Sequence, residues 1–143
     1  MDLGRGGRFS VKAKAIVGGR AEGESVCSPQ PITFFGGVDP KTGEVVEEGH
    51  AIRGERIGGK VLVFPCGKGS TVGSYVLYAL AKNGSGPAAI VNTSFDAIVA
   101  TGCVVSGIPL LLAPGHFLKR VKTGDMIKVD GERGRIEVSR GKA

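Results

Sequence analysis

Phe9, Val11, Ala13, Ala15 and Val17 alternate with Ser10, Lys12, Lys14 and Ile16 near the start of the chain. That alternation predicts a half-buried strand ending at Gly18-Gly19. A second short strand begins within residues 23–28, Pro29-Gln30-Pro31 interrupts it, and extended structure resumes over Ile32-Thr33-Phe34-Phe35 before Gly36-Gly37. Asp39-Pro40 opens a turn that Gly43 can close with positive φ, which makes Val45-Val46 the returning strand. Lys60 to Phe64 is short, apolar and β-branched and reads as a central strand, closed by Pro65. The period then changes: Val72, Val76 and Leu80 recur every fourth residue, with Tyr75 and Ala79 alongside, predicting a helix that stops at Asn83-Gly84. Ala88 to Val91 is the next buried strand, so the unit is βαβ with a parallel pair and a right-handed crossover. A second helix starts at Ser94 or Asp96, runs to Ser106 and ends at Gly107 and Pro109, after which Leu110-Leu111-Leu112 is extended. Met126 to Val129 and Arg135 to Val138 pair across a turn at Asp130-Gly131. Many strands and two helices make a mixed α/β chain with layered strands rather than a repeating doubly wound sheet.

Length and composition narrow this picture. The 143 residues suit one domain, 1–143, with residues 1–7 and 140–143 expected to be flexible. Its 25 glycines match many tight turns between short strands. The net charge of +6 favours an acidic partner or substrate. With aromatic content at 6% and no Trp, however, no stacking platform for nucleic acid is visible, and a solvated basic surface is the simpler reading. Cys27, Cys66 and Cys103 are widely spaced, and neither His50 nor His116 stands at ligand spacing from another donor, so a zinc or iron–sulfur site on this chain alone is not expected. The first fifteen residues lack an apolar core and no apolar run approaches the roughly 20 residues of a membrane span, which predicts a soluble, cytoplasmic protein.

The candidate chemistry lies where the strand period gives way to the helix period, in Gly67-Lys68-Gly69-Ser70-Thr71. Backbone N–H groups at such a turn point outward, the helix dipole favours an anion, and glycine admits close approach to the main chain. Neither a Walker loop nor a dinucleotide fingerprint fits, because Lys68 is followed by Gly69 and Val72 stands where a third glycine belongs. Ser70 or Thr71 is either a helix cap or a catalytic hydroxyl, and the local sequence leaves both open. His50 reads as a loop-packing residue and Asp39 as a turn residue.

Several spaced segments together resemble the small subunit of the aconitase X family. They are Pro31-Ile-Thr-Phe-Phe-Gly-Gly-Val-Asp-Pro-Lys-Thr-Gly43, His50, Gly59-Lys-Val-Leu-Val-Phe-Pro65, Gly67-Lys-Gly-Ser-Thr-Val-Gly-Ser-Tyr-Val-Leu-Tyr78 and Ser106-Gly-Ile-Pro109. The resemblance implies a swivelling β/β/α domain, like the mobile domain of aconitase, that completes an active site on a large partner subunit holding an iron–sulfur cluster. It implies dehydration of mevalonate 5-phosphate to trans-anhydromevalonate 5-phosphate, a step toward isoprenoids, with Ser70 as proton acceptor and Lys68, Gly69 and Thr71 at the substrate. Some members carry Arg where Lys68 stands; Lys offers a point charge in place of a bidentate fork. Dehydration of another hydroxy acid such as cis-3-hydroxyproline, and a non-catalytic anion-binding module, are the competing expectations.

Overall fold

The computed structural model describes residues 7–140. Its strands are β1 (Arg8–Lys12), β2 (Lys14–Val17), β3 (Arg20–Cys27), β4 (Val61–Val63), β5 (Ala89–Asn92), β6 (Leu110–Leu112), β7 (Met126–Asp130) and β8 (Arg135–Ser139). The helical elements are α1 (Phe34–Gly37), α2 (Gly73–Lys82), α3 (Ala97–Ser106) and α4 (Phe117–Arg120). The strands lie in the order β1-β8-β7-β3-β4-β5-β6-β2. β1 and β2 are separated in sequence by Ala13 alone yet occupy opposite ends of that order, so this one alternating segment bends across and closes the sheet on itself. The Ala13 N–H donates to the Gly134 carbonyl at 2.8 Å at the bend.

β3 is the second shared strand. Its first half, Arg20 to Glu24, pairs antiparallel with β7, and its second half, Ser25 to Cys27, pairs parallel with β4. The result is two strand layers, with α2 and α3 packed on the outside of one of them. Strand alternation assigns each side chain to a layer. Val61, Val63 and Val91 point between the strand layers with Phe117, Ile127, Val129, Ile136 and Val138. Leu62, Phe64 and Ile90 point the other way, against Val76, Leu77 and Leu80 of α2 and Val99, Ala100 and Cys103 of α3. β4 and β5 are therefore buried on both faces, which is why they read as continuous apolar runs.

Helix α3 begins where Asp96 accepts hydrogen bonds from the Ile98 and Val99 amides at 2.8 and 3.0 Å, and ends at Gly107 with φ +69°. On α2 the buried residues are Gly73, Val76, Leu77 and Leu80, whereas Val72 and Tyr75 are exposed, so the packed stripe is rotated from the one the four-residue repeat suggested. Ile32 to Phe35 is not a strand: Ile32 makes one isolated parallel bridge with Gly67, and Phe34–Gly37 is a single irregular turn. Val45 likewise makes only an isolated bridge, with Val38, around a turn in which the Asp39 carboxylate accepts from the Lys41 amide. The turn between β7 and β8 is longer than Asp130-Gly131, because Asp130 accepts from the Glu132 and Arg133 amides before Gly134 turns back. The one-turn α4 carries no periodicity long enough to announce it.

Two surface features bear on earlier expectations. On the outer strand layer Glu22, Lys128 and Glu137 stand in cross-strand register, and Arg20 pairs with Asp130 at 3.4 Å and Glu132 at 2.8 Å. Basic residues there are interleaved with acids, as in a solvated face rather than a nucleic-acid track. At the ends of the described segment the Arg140 amide donates to the Gly7 carbonyl, and the Arg140 guanidinium meets buried Asp125 at 3.0 Å. Gly7 and Arg140 are thus tied down, contrary to the expectation of flexibility at those two positions; the rest of that expectation concerns 1–6 and 141–143, outside the described residues. Among the described residues no helix is long and apolar enough to cross a membrane.

Candidate active site

The parallel strands β3, β4 and β5 release their loops at a common carboxyl end, the usual place for a site in such a sheet. The loop from β4 carries all four predicted site residues, Lys68, Gly69, Ser70 and Thr71, into α2. Its base is held by β5 and the turn after it: the Thr93 and Ser94 amides both donate to the Pro65 carbonyl, and the buried Asn92 side-chain amide donates to the Phe64 carbonyl at 3.0 Å. Its middle is held by the segment after β3, where Ile32 N–H donates to the Cys66 carbonyl at 3.2 Å and Lys68 N–H donates to the Ile32 carbonyl at 3.0 Å.

Two glycines are required by this packing. A Cβ at Gly67 would stand 2.8 Å from Val99 Cγ2 and 3.2 Å from Asp96 Oδ2. Gly69 has φ +91°, and a Cβ there would stand 3.0 Å from Thr33 Cγ2.

Ser70 and Thr71 are exposed at the tip. Ser70 Oγ accepts the Val72 N–H at 3.1 Å, and the Ser70 carbonyl accepts the Gly73 N–H at 3.0 Å. Ser74 Oγ turns back to donate to the Thr71 carbonyl. The residue capping α2 is Val72, with no side-chain cap, so Ser70 shapes the turn before the helix rather than capping it in the usual position. Lys68 Nζ lies 3.7 Å from Glu47 Oε2 with its side chain 53% exposed, leaving the ammonium free to meet an incoming anion. A hydroxyl, a cation and the start of a helix thus share one exposed tip.

The elements framing that tip carry uncovered apolar side chains: Phe35 on α1 is 55% exposed, Tyr75 on α2 73% and Phe95 before α3 59%. The composition did not single out these three, nor Thr33 or Ile32, as site residues; the pairing of β3 and β5 on either side of β4 brings their segments round the loop.

His50 is buried and belongs to the support of the site. Its Nδ1 accepts the Ile52 N–H at 3.2 Å, which leaves Nε2 to carry the proton and donate to the Pro31 carbonyl at 2.9 Å. Asp39 stays in its turn.

Among the described residues no group of three or more His, Cys, Asp or Glu side chains could hold a metal ion. Burial pushes the Cys27 thiol up to about 11 and the Cys103 thiol up to about 12, so both are poor thiolate donors. Among the described residues, Cys27 and Cys103 do not offer the clustered thiolates that an iron–sulfur cluster needs.

Residues 10–138 match the aconitase X swivel domain. The chain belongs to the aconitase X swivel domain family. The phosphomevalonate dehydratase small subunit of Pyrococcus furiosus is 52% identical over 130 residues, covering 91% of this chain and 96% of that one. That of Methanocella arvoryzae is 50% identical over 132 residues, 92% of this chain and all of that one. In the crystal structure of Thermococcus kodakaraensis aconitase X in its holo-form, a chain 48% identical superposes with a TM-score of 0.86 over 91% of this chain and 98% of its own length. The aconitase X swivel domain thus has the β/β/α layering that the resemblance implied, and its relatives are named as small subunits.

Proposed function

We propose that this chain is the small subunit of a phosphomevalonate dehydratase, acting as one swivelling unit that supplies the base to an active site shared with a large subunit. The observation that carries the reading is the exposed Ser70 loop at the carboxyl ends of the parallel strands, in a chain about half identical to two subunits of that name. Ser70 is exposed on its loop, and Phe35, Tyr75 and Phe95 on the elements around it are uncovered, so a second subunit would supply the walls of the site.

The reaction removes a proton from the carbon next to the carboxylate of mevalonate 5-phosphate while the neighbouring hydroxyl departs, forming the double bond of trans-anhydromevalonate 5-phosphate; the hydroxyl takes up a proton from solvent to leave as water, and the base returns the proton it accepted to solvent, so the net loss is one water. Ser70 Oγ is the proton acceptor. A free serine alkoxide is far too basic to persist at neutral pH, so the surroundings must favour it. The Val72 N–H already donates to Oγ, the amino end of α2 lies next to it, and Lys68 is two residues away; each favours negative charge on that oxygen. Lys68 also offers a charge to the substrate's carboxylate or phosphate, and Gly69 lets it approach the main chain. An iron–sulfur cluster on the large subunit would supply the Lewis acid that draws off the hydroxyl.

The test is anaerobic co-expression with a cluster-containing large subunit, followed by conversion of mevalonate 5-phosphate. A stable heterodimer that forms the anhydro product supports the reading; two chains that elute separately at micromolar concentration, or a complex that dehydrates cis-3-hydroxyproline instead, would overturn it.

A further inference from the structure

The buried ring of His50 touches no part of the Ser70 tip, yet it is joined to the loop through a single peptide group. The Pro31 carbonyl and the Ile32 N–H belong to the same planar unit, which cannot turn one end without the other. His50 Nε2–H donates to that carbonyl at 2.9 Å, and the N–H at the other edge donates to the Cys66 carbonyl at 3.2 Å. Ile32 then receives the Lys68 N–H on its own carbonyl at 3.0 Å and forms the parallel bridge with Gly67. Rotating the Pro31–Ile32 peptide away from His50 therefore withdraws the donor from Cys66 and loosens the loop on which Lys68, Gly69 and Ser70 follow one another. Thr33, against which Gly69 packs, is carried on the same short segment.

Pro31 has no N–H of its own, and the Gln30 side chain is anchored through its Oε1, which accepts the Ala51 N–H at 2.8 Å. The imidazole is fixed in one tautomer by the Ile52 N–H on Nδ1, so its only proton points at Pro31. The ring itself is 8% exposed, which limits competition from water for its two nitrogens.

We infer that His50 is a positioning residue for the dehydration, orienting the Pro31–Ile32 peptide so that Cys66 to Lys68 hold Ser70 in place. The inference rests on Ser70 being the base, and it extends to a residue remote from the substrate.

Three substitutions separate the two ring nitrogens. Gln places a donor about where Nε2 stands, Met fills similar volume without one, and Asn keeps an acceptor for Ile52 but cannot reach Pro31. In the reconstituted heterodimer, His50→Gln should keep kcat within about threefold, while His50→Met and His50→Asn should each lower it about tenfold or more with KM nearly unchanged. In the full chain, NMR exchange of the Lys68 amide should quicken by about fivefold to tenfold in the Met and Asn variants and stay slow in the Gln variant. If either the Met or the Asn variant fails to fold, the other decides. Equal kcat and equal Lys68 exchange in all three, or rescue by Asn and not by Gln, would overturn the inference. Ser70→Ala assayed alongside keeps the two readings apart, because an active Ser70→Ala enzyme removes the base assignment whatever the His50 series shows.

Discussion

Ser70 Oγ accepts the amide proton of Val72 across 3.1 Å, so the hydroxyl that shapes the turn before α2 is already oriented as an acceptor. A turn-forming role and a base role use the same lone-pair geometry, and a donor that orients the neutral hydroxyl favours the alkoxide more strongly. Ser70→Ala should therefore lower kcat by about a hundredfold or more in an intact heterodimer, with a stability loss of only about 1 kcal/mol. Thr71→Ala and Ser74→Ala should be much milder, since Ser74 Oγ is spent as a donor to the Thr71 carbonyl. Steady-state rates of the three variants check this, and an inactive Thr71→Ala beside an active Ser70→Ala would move the base to the next hydroxyl.

Lys68 separates ground-state binding from transition-state stabilisation. Its ionic contact with Glu47, at 3.7 Å, is long and partly exposed, and so costs little to break when an anion arrives. Lys68→Ala should raise KM with little change in kcat if the ammonium holds a substrate anion equally throughout, and should lower kcat if it serves the alkoxide. Lys68→Arg, which keeps the charge, should retain more activity than Lys68→Ala in either case.

The strand-to-helix switch at residues 64–73 was legible because composition and period change together there: apolar β-branched residues, then Pro65, three glycines and a four-residue repeat. Asp96 and Gly107 announced α3 through chemistry that only helix ends require. The sheet closure was not legible, because nothing local marks Ala13 as the bend that sends two halves of one alternating strand to opposite ends of the order. Nor were the supports of the loop, since Ile32 acts through a backbone N–H and carbonyl that every residue owns, and the His50 ring acts on the carbonyl of Pro31, which no side chain marks. The stripe on α2 was misplaced because Gly73 is buried by close helix packing, which a count of apolar residues does not register.

The two shielded thiols give a pH signature. An unfolded cysteine ionises near 9.0, whereas folding pushes Cys27 up to about 11 and Cys103 up to about 12, chiefly by burial. Between those values the unfolded chain has lost protons that the folded chain still binds, so stability is fully present below pH ~9 and falls as pH rises above it. At pH ~10 each thiol should cost about 1 kcal/mol relative to neutral pH. Urea titrations of wild type and Cys103→Ala should accordingly converge as pH is raised from 8 to 10, and a constant difference between them would contradict the shift.

Helix contact and loop geometry should respond to added methyl groups in opposite ways. A Cβ at Gly102 of α3 would stand 2.6 Å from Leu77 Cδ1 and 3.2 Å from the Ser74 backbone, so Gly102→Ala must part the two helices. The expected cost is about 1–3 kcal/mol of stability, seen as a lower Tm, with kcat of the surviving enzyme little changed.

Gly69→Ala places its strain at the tip instead, and that strain has two separable sources. The residue has φ +91°, which an L side chain adopts at a cost of about 1–2 kcal/mol, and the new Cβ would meet Thr33 Cγ2 at 3.0 Å. Both are relieved by moving the loop, and movement displaces Ser70, the next residue, from the donor at Val72. Gly69→Ala should therefore lower kcat by about tenfold or more while Tm falls only modestly. Thr33→Ser removes the methyl group that the new Cβ meets but leaves φ unchanged. If contact dominates, the Thr33→Ser/Gly69→Ala double variant should recover most of the lost kcat; if the backbone dominates, it should recover little. Wild-type kcat in Gly69→Ala alone would show that the loop accommodates the methyl group without moving Ser70, and would remove the geometric argument for glycine at this position.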